Sequence, residues 1–256
     1  MSQRVTILHT NDFHNQLSED QAQTIRRAKI DRGPDVVLID SGDAISAGNI
    51  GFRTGGEPIL TLMSDIGYDA MTMGNREFHV AEAVLRHKIG NAGFPVLCAN
   101  MRYKGLDGAP VRALPVEPYR ISVLPCGARV GIIGVTVPMV TSRMTARHVS
   151  AYLFDDPVDV VKRIAGELRP KVDILIALTH IGIKADESLA ESCTELDLIV
   201  SGHTHLLINA GDRKSGVPIV QAGWFGHYYG VVEFNLGAGR PRISRSDILP
   251  LKPATP

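Results

Sequence analysis

VTILHTNDFH, residues 5–14, starts as a short apolar run and ends in residues that no strand core needs. The run is too short for a helix and reads as a buried strand. Its end, Asn11-Asp12-Phe13-His14, sets a carboxylate and an imidazole two residues apart where strand gives way to loop. The same figure recurs down the chain. VVLID (36–40) runs into Ser41-Gly42-Asp43, DAMTM (69–73) into Gly74-Asn75, ILIALT (174–179) into His180, and LIVSG (198–202) into His203-Thr204-His205. In α/β folds ligands gather beyond the carboxyl ends of strands, so these polar residues are expected on one surface.

Helical stretches lie between several of these strands. Residues 21–32 are closed by Gly33-Pro34, residues 81–89 by Gly90 and Gly93, and residues 157–168 by Pro170, with Asp155 or Asp156 as N-cap. Residues 119–135 change pattern to two strands around Pro125-Cys126-Gly127-Ala128, a hairpin. Residues 217–249 again read strand, turn, strand. Gly237 and Gly239 in LGAGRPR mark that turn, since no helix follows to complete a GxGxxG. Alternating helices and strands plus hairpins predict an α/β fold of two packed mixed sheets with helices outside. A chain of 256 residues suits one such domain, expected over 1–248, with 249–256 (LPLKPATP) as a trailing tail.

Lysine plus arginine equal aspartate plus glutamate, 27 each, so no long-range field favours a nucleic-acid polymer or an anionic membrane. The expected partner is a small molecule. Cys98, Cys126 and Cys193 are odd in number and lack CxxC spacing, which argues against a disulfide framework or a zinc knuckle. The first residues enter a strand pattern with no signal-peptide region, and no apolar stretch has membrane-spanning length. The expectation is a reduced, cytoplasmic location.

Taken singly, a DxH after a strand is more often an Asx-turn or cap, and a strand-end histidine is usually just hydrogen-bonded. Together, Asp12, His14, Asp43, Asn75, His180, His203 and His205 supply oxygen and nitrogen donors without sulfur. Such a set suits manganese, with zinc, iron, cobalt or nickel as other fits, better than calcium or magnesium. Seven ligands exceed what one open catalytic ion takes and suit two divalent ions sharing a carboxylate, with Asp43 the candidate bridge. Two ions roughly 3.5–4 Å apart clamp a phosphoryl oxygen and lower the pKa of a bound water. The implied chemistry is hydrolysis of a phosphate ester or anhydride.

ILHTNDFH, LIDSGD, GNRE, ALTHIG and VSGHTH, in this order, resemble the signature blocks of the calcineurin-like metallophosphoesterases. ILHTND, LCAN (97–100), GIIGVT (131–136) and VQAGWFGHYYG (220–230) are similar to the branch containing 5'-nucleotidases and 2',3'-cyclic phosphodiesterases. The resemblance runs from about residue 5 to about residue 234 and implies a four-layer α/β/β/α sandwich with a dinuclear centre at one end. It assigns Asp12, His14, Asp43 and His205 to one metal, and Asp43, Asn75, His180 and His203 to the other. The implied function is a 5'-nucleotidase-like phosphohydrolase acting on a small, nucleotide-type substrate by attack of a metal-bridging hydroxide. The alternative is a non-catalytic, metal-stabilised module that binds a phosphorylated ligand.

Three departures stand out. The family's Gly-Asn-His-Glu is Gly-Asn-Arg-Glu here, the usual glycine after the first block's histidine is Asn15, and the sequence stops before the base-gripping C-terminal domain of those nucleotidases. Arg76 takes the place of a histidine that the resemblance casts as proton donor. Arginine cannot serve as a general acid at neutral pH, yet it offers a fixed charge and two hydrogen bonds to phosphoryl oxygens. Asp43 and Arg76 are therefore the candidate catalytic residues. Substrates whose leaving groups depart as stable anions should be favoured.

His79 lies three residues on and would face the same side if a helix began at Glu77, but a surface histidine at a helix start is the plainer reading. Glu77 reads as a first-turn acid or as a partner orienting a metal-bound histidine. Candidate substrate contacts are Arg76, Asn100, Trp224, Phe225 and His227, against the plainer reading that the aromatics close the core between sheets. His9 reads as a hydrogen-bonded strand-end histidine, and His87 and His148 as exposed residues.

Overall fold

The computed structural model describes residues 3–104, 114–212 and 216–251. The first half begins with β1 (Gln3–Thr10), α1 (Glu19–Asp31), β2 (Val36–Asp40), α2 (Pro58–Ile66), β3 (Ala70–Thr72), α3 (Glu82–Ile89) and β4 (Val96–Leu97). It continues through β5 (Met101–Tyr103), β6 (Tyr119–Val123), β7 (Arg129–Thr136) and β8 (Tyr152–Phe154). The second half adds α4 (Pro157–Leu168), β9 (Ile174–His180), α5 (Ile183–Ser192), β10 (Leu198–Val200) and β11 (Leu207–Ile208). The last strands are β12 (Ile219–Ala222), β13 (Tyr228–Leu236) and β14 (Arg242–Pro250).

Two six-stranded sheets form, ordered β14-β13-β1-β2-β3-β4 and β11-β12-β10-β9-β7-β6, with β5 and β8 as a separate pair. Both sheets are mixed: β1 runs parallel to β2 and antiparallel to β13, and β7 runs parallel to β9 and antiparallel to β6. The layers follow from alternation, because successive strand side chains point to opposite faces. Val5, Ile7, Val37 and Ile39 of one sheet meet Ile132, Ile174, Ile176 and Val200 of the other in a central core. Leu8, Val36 and Leu38 face the opposite way, onto Ile25 of α1 and Leu60 and Met63 of α2. Leu175, Ala177 and Ile199 face outward onto Val161 and Ile164 of α4 and Leu189 of α5. The order is helix, sheet, sheet, helix, as expected.

Side-chain caps mark the starts of α1 and α4. Ser18 and Gln21 form a reciprocal capping box at α1, and Asp156 accepts from the N–H groups of Val158 and Asp159 at α4. The hairpin of β6 and β7 is present. The stretch 217–249, read as two strands about one turn, holds three, because residues 223–227 part β12 from β13. Six further elements went unread in the sequence: α2, α5, β4, β5, β8 and β11. Of these α2 carries good signals, Pro58 in its first turn and Gly67 in the left-handed conformation at its end. The strands are two or three residues long, too short to show a period.

The expected boundary after residue 248 falls too early. β14 pairs with β13 as far as Tyr228 opposite Pro250, and Leu251 is buried in the helix-side core. Residues 252–256 of the expected tail lie outside the described residues. No helix among the described residues is long and apolar enough to cross a membrane.

Candidate metal centre

The strand ends do converge. Asp12 and His14 follow β1, Asp43 follows β2, Asn75 follows β3, His180 ends β9, and His203 and His205 follow β10. Asp12, His14, Asp43, His203 and His205 all have φ between +48° and +74°. Among the described residues the remaining non-glycine positions with positive φ, Asn15 and Phe225, adjoin them. Left-handed backbone at a non-glycine residue is strained, and such strain collects where surrounding structure dictates side-chain direction. Gly42 and Gly74 let two of these loops touch. A side chain at Gly42 (φ +86°) would sit 2.6 Å from the nitrogen of Gly74, and one at Gly74 would collide with the nitrogen and Oδ1 of Asp43.

Asp43 directs its two oxygens to different neighbours. Oδ2 lies 3.6 Å from Nε2 of His14, and Oδ1 lies 3.5 Å from Nε2 of His180. Asp12 holds Oδ1 at 3.6 Å from Nε2 of His14 and 3.2 Å from Nε2 of His205, while its Oδ2 accepts from Asn11 Nδ2 and the His203 N–H. Asn75 Oδ1 sits 3.3 Å from Nε2 of His180 and 3.1 Å from Nδ1 of His203. Nδ1–H of His180 donates to the Ser41 carbonyl at 2.7 Å, which fixes the tautomer and leaves Nε2 free to ligate.

These groups fit cations. Asp12 Oδ1 and His14 Nε2 are buried without a hydrogen-bond partner among the described residues, an arrangement that native interiors avoid unless something else binds there. Asp12, His14 and His205 bring one ligand atom each within 4.8 Å of one another, and so do Asp12, Asp43 and His180. Asp12 thus touches both groups, a sharing not foreseen from sequence.

The charges are mutually stabilised. Burial works to raise the Asp43 carboxyl pKa, but the His180 charge and the His14 ring nitrogen 3.6 Å away hold it well below the usual range. Burial likewise opposes ionisation of Asp12, and His14 and His205 hold its pKa low. His180 shows the reverse balance: burial depresses its pKa, and Asp43 more than restores it, to about 9. Behind the loops Asp40 is fully buried, and burial lifts its pKa to about 7 despite hydrogen bonds from Thr10 and the Gly42 N–H.

Arg76 lies against the same carboxylate. Its N–H donates to Asp43 Oδ1 at 2.7 Å, its Nε stands 3.4 Å from Oδ2, and Nη1 donates to the Ser46 carbonyl at 2.9 Å. The side chain stays 34 % exposed.

Four readings need correction. No helix starts at Glu77; α3 begins at Glu82, and His79 turns its Nδ1 back to accept from the Ala81 N–H. Glu77 is neither a first-turn acid nor bonded to a histidine: it is fully buried and accepts from the backbone N–H groups of Asp43, Ile45 and Gly74. Asn100 is buried with its amide bonded to the backbone of Thr136 and Asp155, a clasp between β7 and β8 and not an exposed contact. His9 also departs from expectation, since it is buried with Nδ1 unpartnered among the described residues. His87 and His148 are exposed as read.

Trp224, Phe225 and His227 lie outside the sheet core. Trp224 stacks on His205 at 5.8 Å and 18°, and the Phe225 ring is 5.2 Å from that of His14. Sequence reasoning missed Asn11 and Gln221. Asn11 ties Asp12 Oδ2 to the Gly223 carbonyl and the Ala222 N–H, and Gln221 Nε2 donates to Ser201 and Gly202 beside His203. A buried amide next to a ligand strand end was the available signal for both.

The calcineurin-like phosphoesterase family profile matches residues 5–207. The uncharacterized metallophosphoesterase YunD of Bacillus subtilis is 28% identical over 251 residues, covering 95% of this chain and 53% of its own. Human 5'-nucleotidase is 31% identical over 276 residues, covering 90% of this chain and 46% of its own. The chain spans about half the length of these curated relatives. The solved 5'-nucleotidase precursor of Thermus thermophilus superposes with a TM-score of 0.78 at 25% identity, over 97% of this chain and 54% of that one. The calcineurin-like phosphoesterase YfkN of Bacillus subtilis shares the fold at a TM-score of 0.76 and 22% identity, over 98% of this chain and 92% of that one.

Proposed function

This chain belongs to the calcineurin-like phosphoesterase family, and from that premise we propose that it is a metal-dependent hydrolase of a small phosphorylated substrate. The observation that carries the reading is the Asp43 carboxylate, with one oxygen toward His14 and the other toward His180. Asp12, His14, Asp43 and His205 would hold one divalent ion, and Asp43, Asn75, His180 and His203 the second. When bound, such a pair supplies Lewis-acid polarisation of the phosphoryl group and a nucleophilic water at neutral pH.

The protein's own part is placement and charge. Asn11 and Glu77 hold the ligand loops through buried hydrogen bonds, so that little reorganisation is needed when substrate arrives. The Arg76 side chain, partly exposed beside Asp43, would meet the oxygens of the phosphoryl group as negative charge builds on them. An arginine is a poor general acid. The leaving oxygen therefore departs as an anion or takes its proton from water, which favours anhydrides, aryl esters and cyclic phosphates over simple alkyl monoesters. General acid help is worth about 10²- to 10⁴-fold where the leaving group is poor.

The test is steady-state turnover with Mn²⁺ of AMP, a cyclic 2',3'-nucleotide, a nucleotide diphosphate sugar and bis-p-nitrophenyl phosphate, with Asp43→Asn as the blank. Turnover above the blank with AMP slowest is the expected result. AMP fastest by a wide margin refutes the role given to Arg76, and no turnover with metal bound refutes hydrolysis.

A further inference from the structure

The five residues between β12 and β13 are built with more constraint than a connecting loop needs. Gly223, Phe225 and Gly226 all have positive φ, at 73°, 57° and 67°. For a bulky aromatic that conformation is a genuine outlier. Two long-range hydrogen bonds hold it: the Phe225 N–H donates to the Asp12 carbonyl at 2.8 Å, and Gln21 Nε2 donates to the Gly226 carbonyl at 2.9 Å. The result is an aromatic side chain 38 % exposed, its ring 5.2 Å from His14 and 6.2 Å from His205. Trp224 and His227 complete a corner, with rings 6.4 and 6.3 Å from that of Phe225. The sheet core does not require this, since Tyr229 and Val231 already close it.

A cleft of about 450 Å³ opens from Phe225 and His227 toward the turn after β1, with Asn15, Gln16, Ser18 and Gln21 on its walls. That volume lies in the range of small-molecule sites. No aspartate, glutamate, lysine or arginine among the described residues lines it, so its polar edge is made of amides, a hydroxyl and an imidazole. An anionic group would find no countercharge there, and a flexible aliphatic one would not use a flat ring face. An uncharged planar heteroaromatic ring matches the stacking surface, and it asks for no countercharge from the cleft walls.

We propose that the Trp224, Phe225 and His227 corner and its adjoining cleft form a subsite for the uncharged, planar heteroaromatic part of the substrate, within this chain and next to the metal centre. The proposal rests on the hydrolase reading for the position of the phosphate. Phe225 touches the His14 ring and the cleft alike, so a phosphate held at the centre places the rest of the substrate along the aromatic face.

Trp224 is the single tryptophan of the chain, and it reports on the corner directly. Its fluorescence should be titrated with AMP, ribose 5-phosphate and inorganic phosphate at constant Mn²⁺, in the wild type and in Phe225→Leu. The expected result is AMP binding about tenfold tighter than ribose 5-phosphate in the wild type, the gap that one aromatic stack supplies. Phe225→Leu should shrink that gap to about twofold or less and leave inorganic phosphate binding unchanged. Equal affinities in the wild type, or a gap untouched in a folded Phe225→Leu protein, overturn the subsite; if that variant does not fold, the wild-type comparison with His227→Ala decides. Turnover of phosphate esters without the binding preference would overturn the subsite and leave the hydrolase reading standing. The preference without turnover of any ester would do the opposite.

Discussion

The backbone N–H of Asp43 donates to Oε2 of Glu77 at 3.0 Å, and the same oxygen accepts from Gly74 at 2.8 Å. One buried carboxylate thus ties the loop after β2 to the loop after β3, and its other oxygen holds Ile45. Glu77→Gln keeps the shape but turns an amide N–H₂ toward backbone donors, leaving one or more of them unpaired. Mn²⁺ affinity should fall about 10- to 100-fold, as for other groups that orient ligands, and stability by about 1–3 kcal/mol. Metal titration calorimetry and thermal unfolding of the metal-free protein check the two effects separately.

Asp43→Asn removes the charge that faces both halves of the centre and sets an amide against Arg76. Metal content after dialysis should drop from two ions per chain to one or none. An unchanged count of two would show that Asp43 is not the shared ligand.

Arg76→His restores a group that can donate a proton near neutral pH. Hydrolysis of AMP should rise by about tenfold or more relative to bis-p-nitrophenyl phosphate, because only the alkyl leaving group needs the proton. The ratio of the two kcat/KM values is the quantity to compare, since both rates lose the arginine charge.

Asn100→Ala tests a residue that the sequence suggested for substrate contact and the structure places between β7 and β8. It leaves the Thr136 N–H and two carbonyls without their partner, so stability should fall by about 2–3 kcal/mol. The KM for any turned-over substrate should not move.

His9 gives a pH signature of stability. Burial pushes its pKa down to about 3, against about 6.5 in the unfolded chain. The unfolded state therefore binds the extra proton between these values. Stability from the neutral, buried imidazole is complete above pH 6.5 and is lost as the pH falls toward 3, by about 2 kcal/mol at pH 5. Asp40, with its pKa lifted to about 7, favours the folded state over part of the same range and works against this loss. The difference between wild type and His9→Leu isolates the histidine. Denaturant unfolding at pH 7.5 and pH 5 should show a smaller loss in the variant.

Much of this was legible in the sequence. Apolar runs ending in Asp, Asn and His marked both the strands and the polar residues that converge at their ends, because a buried strand must be apolar along its length and only its end can offer a polar group. The outer helices α1 and α4 showed through their caps. What stayed hidden depends on residues far apart in the chain meeting in space. Glu77 looked like a helix-start acid because its three backbone partners cannot be seen in a one-dimensional pattern. Asn100 sits in a block that resembles the family's and is turned inward by β8, a strand too short to read.

The sequence alone determined the layered α/β architecture and the seven polar residues gathered at its strand ends, since periodicity and residue chemistry are local properties that survive any arrangement of loops. Only the tertiary structure decided that Asp43 turns one oxygen to His14 and the other to His180, that Arg76 lies beside it and that Phe225 stands exposed next to His14. The reason is physical: these directions are set by left-handed backbone at Asp12, His14, Asp43, His203, His205 and Phe225. Such conformations are unfavourable for the isolated residue and are imposed by hydrogen bonds reaching across the fold, such as Asn11 to Gly223 and Phe225 to Asp12.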